Sequence, residues 1–374
     1  MSGTITPITM PKFGLAMTEG KLASWSLPVG KEVKAGDELA DIETSKITNG
    51  YESPAAGILR RQVAPEGEML PVGALIGVLA DADVSDSEID AFIQHFNDNF
   101  SSGDAEDKNS DTTARRTVDV GDLRISVQES GNKETGTAVL LIHGFGGDVS
   151  NWMLTQSALA SSHHVIAFDL PGHGESTKQV GDGTPAGFAK TVEDLIKALE
   201  LPAAHVVGHS LGGAIALELA KSSPDLVKSL TLIAPAGLGQ DINMNFINGF
   251  IDADRRKTLE PVLQYLVHDK SLISRQMVEG IIRYKRLDGV VTGLKTIASA
   301  SFPDGKQAVS LRSVLETFDK PIQILWGEQD EILSTKDADG LPAAISVTRF
   351  PETGHMPQLE QAAAVNTSIS QFIE

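Results

Sequence analysis

The sequence predicts a multidomain protein: a small all-β sandwich followed by an α/β domain with a helical cap. Three observations carry that reading. Residues 4–80 hold short alternating runs broken by Gly and Pro, with no convincing helix. From residue 117 onward, near-continuous apolar runs alternate with helical patterns, as parallel strands covered on both faces require. Between them the composition turns acidic: ten Asp and Glu against the single Lys108 from Asp81 to Asp111. At 374 residues, two domains are comfortable.

The first domain, 4–80, contains an internal echo. GKEVKAG at Gly30–Gly36 matches GEMLPVG at Gly67–Gly73, shifted by 37 positions. Two similar halves suggest a pseudo-symmetric antiparallel sandwich. The run IETSKI then puts Lys46 at the tip of the hairpin joining the halves, with SPAAG following at 53–57.

Next comes an acidic linker, 81–116. Its segment SSGDAEDKNSDTT (101–113) has little to bury and reads as flexible and self-repelling. One piece differs: Ile89, Phe92, Ile93, Phe96 and Phe100 recur at helical spacing. They predict a short amphipathic helix over 87–100, with Ser87 as N-cap and Glu88 in the first turn. Its apolar face suits docking on a neighbouring domain or recognition of a partner subunit.

In the third part, 117–374, the segments 138–143, 165–169, 205–209, 229–233, 321–326 and 346–350 read as buried strands. Helical patterns such as 188–200 and 211–223 lie between them. Residues 237–310 carry helical patterns without a good strand and read as a cap over the sheet.

Bulk properties exclude several functions. A formal net charge of −19 argues against nucleic acid as a partner. No cysteine means no disulfide framework, thiolate metal site or cysteine nucleophile, and no metal is expected. There is no charged n-region before an apolar core, and no apolar run of the about 20 residues that a membrane helix needs. A cytoplasmic protein is the default expectation.

Gly208-His209-Ser210-Leu211-Gly212 follows an apolar strand and opens an Ala/Leu-rich helix. Small flanking residues let the backbone bend so that a Ser210 hydroxyl stands above the sheet edge. A hydroxyl is a weak nucleophile and needs a base oriented by an acid, which in this architecture come in the order Ser, acid, His. Only His355, in TGHM, lies after the last strand. Asp330, in WGEQDE, is the preferred acid, with Glu328 and Glu331 as alternatives. The loop His143-Gly-Phe-Gly-Gly147 offers the Phe145 N–H to an oxyanion, paired with that of Leu211. His143, His209, Asp169 and His173 are expected to hydrogen-bond or build turns locally.

Strand–elbow–helix, HGFGG, DLPGHGES, WGEQD and the late GH, in that order, resemble the α/β-hydrolase family over 117–374. Residues 4–80 resemble lipoyl and biotinyl carrier domains, with ETSK looking like the lipoyl version. That resemblance implies lipoate on Lys46, a group carrier, installed by a lipoate-attaching enzyme. The whole arrangement resembles the dihydrolipoamide acetyltransferase components of bacterial acetoin dehydrogenase complexes. It implies acetyl transfer from the lipoyl arm to coenzyme A through a Ser210 acyl-enzyme. It also implies two partners, a thiamine-diphosphate-dependent dehydrogenase and a flavin-dependent dihydrolipoamide dehydrogenase. The His-x-x-x-Asp-Gly motif of ordinary lipoyl acyltransferases is missing, and no peripheral-subunit-binding module is recognisable.

Two alternatives stand beside this reading: an esterase or thioesterase with water as acceptor, and a non-catalytic lipoyl carrier or scaffold. Coenzyme A is anionic, and residues 239–310 hold ten basic against eight acidic residues. The clusters Arg255, Arg256, Lys257 and Arg283, Lys285, Arg286 are candidates for its phosphates.

Overall fold

A computed structural model of the chain describes residues 5–11, 19–34, 36–43, 48–99, 114–133 and 137–373. It divides into two compact units, Met1–Ser110 and Asp111–Glu374.

In the first unit the strands are β1 (Ile5–Thr9), β2 (Glu19–Trp25), β3 (Glu32–Val33), β4 (Glu38–Glu43), β5 (Thr48–Glu52), β6 (Gly57–Gln62), β7 (Met69–Pro71) and β8 (Leu75–Ala80). They form two four-stranded sheets, β1-β8-β6-β3 and β5-β4-β2-β7. Ile8, Leu22, Leu39, Ile42, Leu59 and Ile76 fill the core between them. The sequence echo has a physical origin in reciprocal hydrogen bonds. Gly30 N–H donates to Leu59 O at 2.7 Å, and Gly67 N–H donates to Leu22 O at 2.6 Å. In return Leu59 N–H reaches Lys31 O and Leu22 N–H reaches Glu68 O, both at 3.0 Å. Gly30 and Gly67 sit at φ 87° and 88°, a backbone that glycine adopts without steric cost. Each half therefore pins the turn of the other.

The β4–β5 ladder runs up to the pair Glu43↔Thr48. Lys46, in the four-residue connection between them, lies outside the described residues.

The expected helix is α1 (Asp86–Asn99). Its N-cap is Ser85, which corrects the expectation of Ser87. Ser85 Oγ accepts from Glu88 N–H at 3.3 Å, and Glu88 Oε2 accepts from Ser85 N–H at 2.9 Å. This is a reciprocal capping box, and Glu88 decides the register because it can answer only the serine three residues earlier. The apolar face carrying Ile89, Phe92, Ile93 and Phe96 packs on Leu75, Val78, Ala80 and Val84. Arg60 and Arg61 pair with Asp86, and Arg61 also with Asp90. These exposed pairs orient the helix more than they stabilise it. The helix is docked on the strands of the first unit; expected Phe100 and the segment 101–113 lie outside the described residues.

The second unit opens with β9 (Ala114–Val120), β10 (Leu123–Ser130) and β11 (Ala138–Ile142), then α2 (Met153–Leu159) and β12 (His164–Phe168). There follow α3 (Pro185–Ala198), β13 (Ala204–His209), α4 (Leu211–Ser222) and β14 (Val227–Ile233). The cap comprises α5 (Met244–Asp252), α6 (Arg256–Leu263), α7 (Arg275–Lys285) and α8 (Val290–Ser301). The chain closes with α9 (Val314–Thr317), β15 (Ile322–Gly327), β16 (Ser346–Phe350), α10 (Pro357–Glu360) and α11 (Ala362–Ile373).

One eight-stranded sheet runs β16-β15-β14-β13-β11-β12-β10-β9, parallel except for the antiparallel pairings of β10. The six expected strands are all present. The β9–β10 hairpin was not anticipated, because ARRTVDV and LRISVQES alternate apolar with charged residues and lack the continuous apolar run used to find the others. Buried residues pack on both sheet faces: one set with α3, α4 and the cap, the other with Trp152 and α11.

Ile89 is fully buried in the α1 interface. Ile89→Ala should cost the first unit about 2–5 kcal/mol. Amide exchange at Leu75–Ala80 should accelerate accordingly while that of β13 and β14 stays unchanged.

Candidate active site

The turn between β13 and α4 holds Ser210 at φ 55° and ψ −119°. Such a backbone costs about 1–3 kcal/mol and persists only where its surroundings fix it. Ser210 N–H donates to Ile233 O at 3.0 Å, while Ser210 O accepts from Gly213 N–H and Ala236 N–H, each at 2.9 Å. Gly212 explains the spacing of the motif. A Cβ there would lie 2.2 Å from Ile142 O and 2.6 Å from His143 O, so only glycine lets α4 approach β11. The Ser210 side chain is partly exposed.

His355 follows β16 and Asp330 follows β15, and the structure brings them together. His355 Nδ1–H donates to Asp330 Oδ2 at 2.7 Å, with the two side chains 2% and 0% exposed. Trp326 Nε1–H donates to the same oxygen at 2.8 Å. Asp330 Oδ1 accepts from the Ile332 and Leu333 N–H groups at 2.7 and 3.0 Å. Burial pushes the carboxyl pKa up, but His355 and these donors outweigh it and hold it below its ordinary value. The alternatives are turned elsewhere: Glu331 pairs with Lys270 at 2.7 Å, and Glu328 is exposed.

His209 links this dyad to the serine. Its Nε2–H donates to the main-chain carbonyl of His355 at 2.8 Å, with ring centroids 4.8 Å apart. Burial and the neighbouring His355 lower its pKa to about 3, so it serves as a neutral strut. Sequence reasoning expected a local role for His209 and missed its reach across 146 positions. The residue between Gly208 and Ser210 in the motif was the available signal.

The 143–147 loop forms a turn closed by Gly147 N–H on Gly144 O at 3.1 Å. Among the described residues, the Phe145 and Leu211 N–H groups have no hydrogen-bond acceptor. For Leu211 this follows from its place at the start of α4, where helix donors have no internal partner. His143 Nε2 accepts from Leu170 N–H at 3.0 Å and His173 Nε2 from Gly146 N–H at 3.1 Å. Asp169 accepts from Val149 and Glu175 N–H at 2.9 and 2.8 Å and also binds Arg115. These are the expected turn-building roles.

The cap clusters divide. Lys285 is buried, and its ammonium donates to the carbonyls of Phe250 and Ala253 at the end of α5. It is therefore not available to a phosphate, which corrects its inclusion. Arg255, Arg256, Lys257, Arg283 and Arg286 are exposed. No group of three or more potential metal ligands occurs among the described residues, nor does a helix long and apolar enough to cross a membrane.

Two family models match: alpha/beta hydrolase fold over residues 137–362, and biotin-requiring enzyme, the biotin/lipoyl module, over residues 6–79. The chain is 40% identical to the dihydrolipoyllysine-residue acetyltransferase component of the acetoin cleaving system of Cupriavidus necator, over 100% of this chain and 98% of the other. It is 42% identical to the protein of that description from Pseudomonas putida, over 99% and 98%. A meta-cleavage product hydrolase from Pseudomonas fluorescens shares the fold, with TM-score 0.62 and 22% identity over 69% of this chain and 96% of that one. The chain belongs to the family of dihydrolipoyllysine-residue acetyltransferase components of acetoin cleaving systems.

Because the Asp330 pKa is depressed by folding, its contribution to stability is present above its unfolded value of about 3.9 and is lost as pH falls through the folded value. Asp330→Asn should therefore lower the urea midpoint clearly at pH 7 and progressively less below pH 4. A gap that stays constant with pH would contradict the assignment.

Proposed function

We propose that the protein moves an acetyl group from a lipoyl thioester to coenzyme A by way of a Ser210 ester. The observation that supports this most is the Asp330–His355 pair tied through His209 to the Ser210 turn, in a chain whose first unit is a carrier-type sandwich. The residues present fit lipoate. The β4–β5 ladder stays paired to its end at Glu43↔Thr48, and the connection it leaves contains one amine, that of Lys46. Lys46 would hold the group by an amide, and the group supplies the acyl as a thioester when bound.

Ser210 Oγ attacks the thioester carbonyl while His355 Nε2 takes the hydroxyl proton. The Phe145 and Leu211 N–H groups receive the developing oxyanion. His355 Nε2–H then gives that proton to the departing sulfur as the C–S bond breaks, and Ser210 is left acetylated. Coenzyme A then gives its thiol proton to His355 and attacks the ester. Breaking the C–O bond returns that proton to Ser210 and releases acetyl-CoA. Asp330 fixes the Nδ1–H tautomer and stabilises the imidazolium at each stage.

Arg255, Arg256, Lys257, Arg283 and Arg286 are the proposed anchors for the coenzyme phosphates. In the complex implied by the relatives' names, a thiamine-diphosphate-dependent dehydrogenase would load the arm. A dihydrolipoamide dehydrogenase would reoxidise it, and a lipoate-attaching enzyme would modify Lys46. The proposed setting is cytoplasmic.

With acetyl-dihydrolipoamide as donor, the wild type should accumulate acetyl-CoA only when coenzyme A is present. Ser210→Ala should lower that rate at least about 10⁴-fold. Free acetate formed regardless of coenzyme A would instead identify a hydrolase. Intact mass from a lipoate-competent host should show one lipoyl group on the wild type and none on Lys46→Arg.

Replacing Arg255, Arg256 and Lys257 together by Ala should raise the apparent KM for coenzyme A about tenfold, with the donor KM unchanged. An unaltered coenzyme KM would remove that cluster from the site.

A further inference from the structure

The oxyanion turn is held from outside by a chain of contacts that the reaction scheme does not use. Gly146 follows the proposed donor Phe145 and sits at φ 73°. Its N–H points to His173 Nε2 at 3.1 Å. His173 Nδ1–H donates to Pro171 O at 3.1 Å, which fixes the tautomer that leaves Nε2 an acceptor. Burial, with His143 beside it, lowers the His173 pKa to about 3, so the acceptor survives at any working pH.

The turn carrying His173 is itself secured. Lys178 Nζ donates to the carbonyls of His173 and Ser176 at 3.1 and 2.8 Å, and also to that of Gly174. From the cap, the Tyr284 hydroxyl on α7 donates to Gly172 O at 2.8 Å. Burial raises the Tyr284 pKa, so the hydroxyl keeps its proton. A second cap contact bears on the 143–147 turn itself. The Phe250 ring on α5 lies 2.5 Å from where a Gly146 Cβ would be, and 5.9 Å centroid to centroid from the Phe145 ring.

We propose that His173 is a positioning residue for the oxyanion donor of Phe145, and that Tyr284 extends this control to the cap by fixing the turn from which His173 reaches Gly146. The proposal rests on the acyl-transfer reading of Ser210. Gly146 N–H is partly buried, beside Phe250 of the cap, and has His173 as its acceptor. Removing that acceptor leaves a donor unpaired, which is costly enough to rotate the turn. The Gly146 N–H and the Phe145 N–H lie on consecutive peptides, so a rotation of the turn re-aims the second as well. Loss of aim harms the transition state, whose oxygen carries charge, more than the bound ground state.

The test uses the full chain with p-nitrophenyl acetate as donor and coenzyme A as acceptor. His173→Leu should lower kcat about 10–100-fold with KM within about twofold. His173→Gln, whose Oε1 can accept the same N–H, should keep kcat within about fivefold of wild type, and Tyr284→Phe should lower kcat about 3–10-fold. Binding of phenylboronic acid, a tetrahedral anion mimic at serine, should weaken in step with kcat/KM.

A folded His173→Leu with kcat within threefold of wild type would overturn the proposal. So would equal losses in the Leu and Gln variants with boronate affinity unchanged. If His173→Leu does not fold, unchanged kcat in Tyr284→Phe overturns it instead. Ser210→Ala run alongside separates the two layers: turnover that survives it defeats the serine reading, whereas its loss together with wild-type-like His173→Leu defeats only the positioning role.

Discussion

The backbone of Ser210 constrains everything near it. A serine at φ 55° and ψ −119° is a position that local preference resists by about 1–3 kcal/mol. The resistance is overcome by neighbours on the two strands that flank β13. Ile233 at the end of β14 accepts its N–H, the residues after β14 donate to its carbonyl, and Ile142 at the end of β11 crowds Gly212 so closely that no side chain fits. These contacts exist only if β11, β13 and β14 are adjacent, parallel and in register. The sheet topology is therefore a requirement of one dihedral pair. The cost is met by ordinary backbone hydrogen bonds, each worth about 0.5–1.5 kcal/mol net.

Desolvation settles the second layer of the site. Four imidazoles crowd around the serine turn, and burial lowers the pKa of three of them: His143, His173 and His209. Neutral rings can each donate from one nitrogen and accept on the other, which lets them join backbone segments that have no other partner. Only His355 faces a carboxylate, Asp330, with a direct hydrogen bond. One ring thus has a carboxylate partner while burial disfavours charge on the other three, so in the proposed reaction the proton of the hydroxyl has one destination. In the proposed reaction, the carboxylate and not distance from the serine divides the base from the positioning histidines.

Much of this was legible in the sequence because the fold leaves strong marks. Buried parallel strands must be apolar throughout, the elbow must be flanked by glycine, and the base must follow the last strand. Each constraint produces a pattern that a single chain displays. What escaped detection has a common cause. The β9–β10 hairpin is half-polar, because one of its strands is a sheet edge, and so it resembles a loop. Ser85 outranks Ser87 as a cap only because Glu88 is three residues later. Lys285 looks like its neighbours Arg283 and Arg286 in a charge count, yet helix phase turns it inward onto α5. His209 and His173 act on backbone atoms far along the chain, and a backbone carbonyl or N–H has no sequence signature.

The withdrawal of Lys285 separates the two basic clusters by physical logic. Arg283 and Lys285 occupy the last turn of α7, where cations are stabilised by the negative end of the helix dipole. The fold alone accounts for Lys285, whereas Arg283 stays exposed beside Arg286. Arg255, Arg256 and Lys257 instead gather at the start of α6, where the dipole is positive and disfavours cations by about 0.3–1 kcal/mol each. Asp254 lies 3.9 Å from Arg255 with both side chains largely exposed, and Glu279, paired with Arg275, also feels the charge of Arg256. An anion placed there would answer both the side chains and the free helix N–H groups. The chain's net charge of −19 does not prevent this, since charges beyond the Debye length of about 8 Å are largely screened at physiological salt. Within that radius three cations facing a phosphate dominate, at about 1–4 kcal/mol per close pair depending on exposure. An arrangement that costs the protein energy and would be relieved by an anion is the stronger of the two candidates for a phosphate-bearing substrate, and that is the cluster on α6.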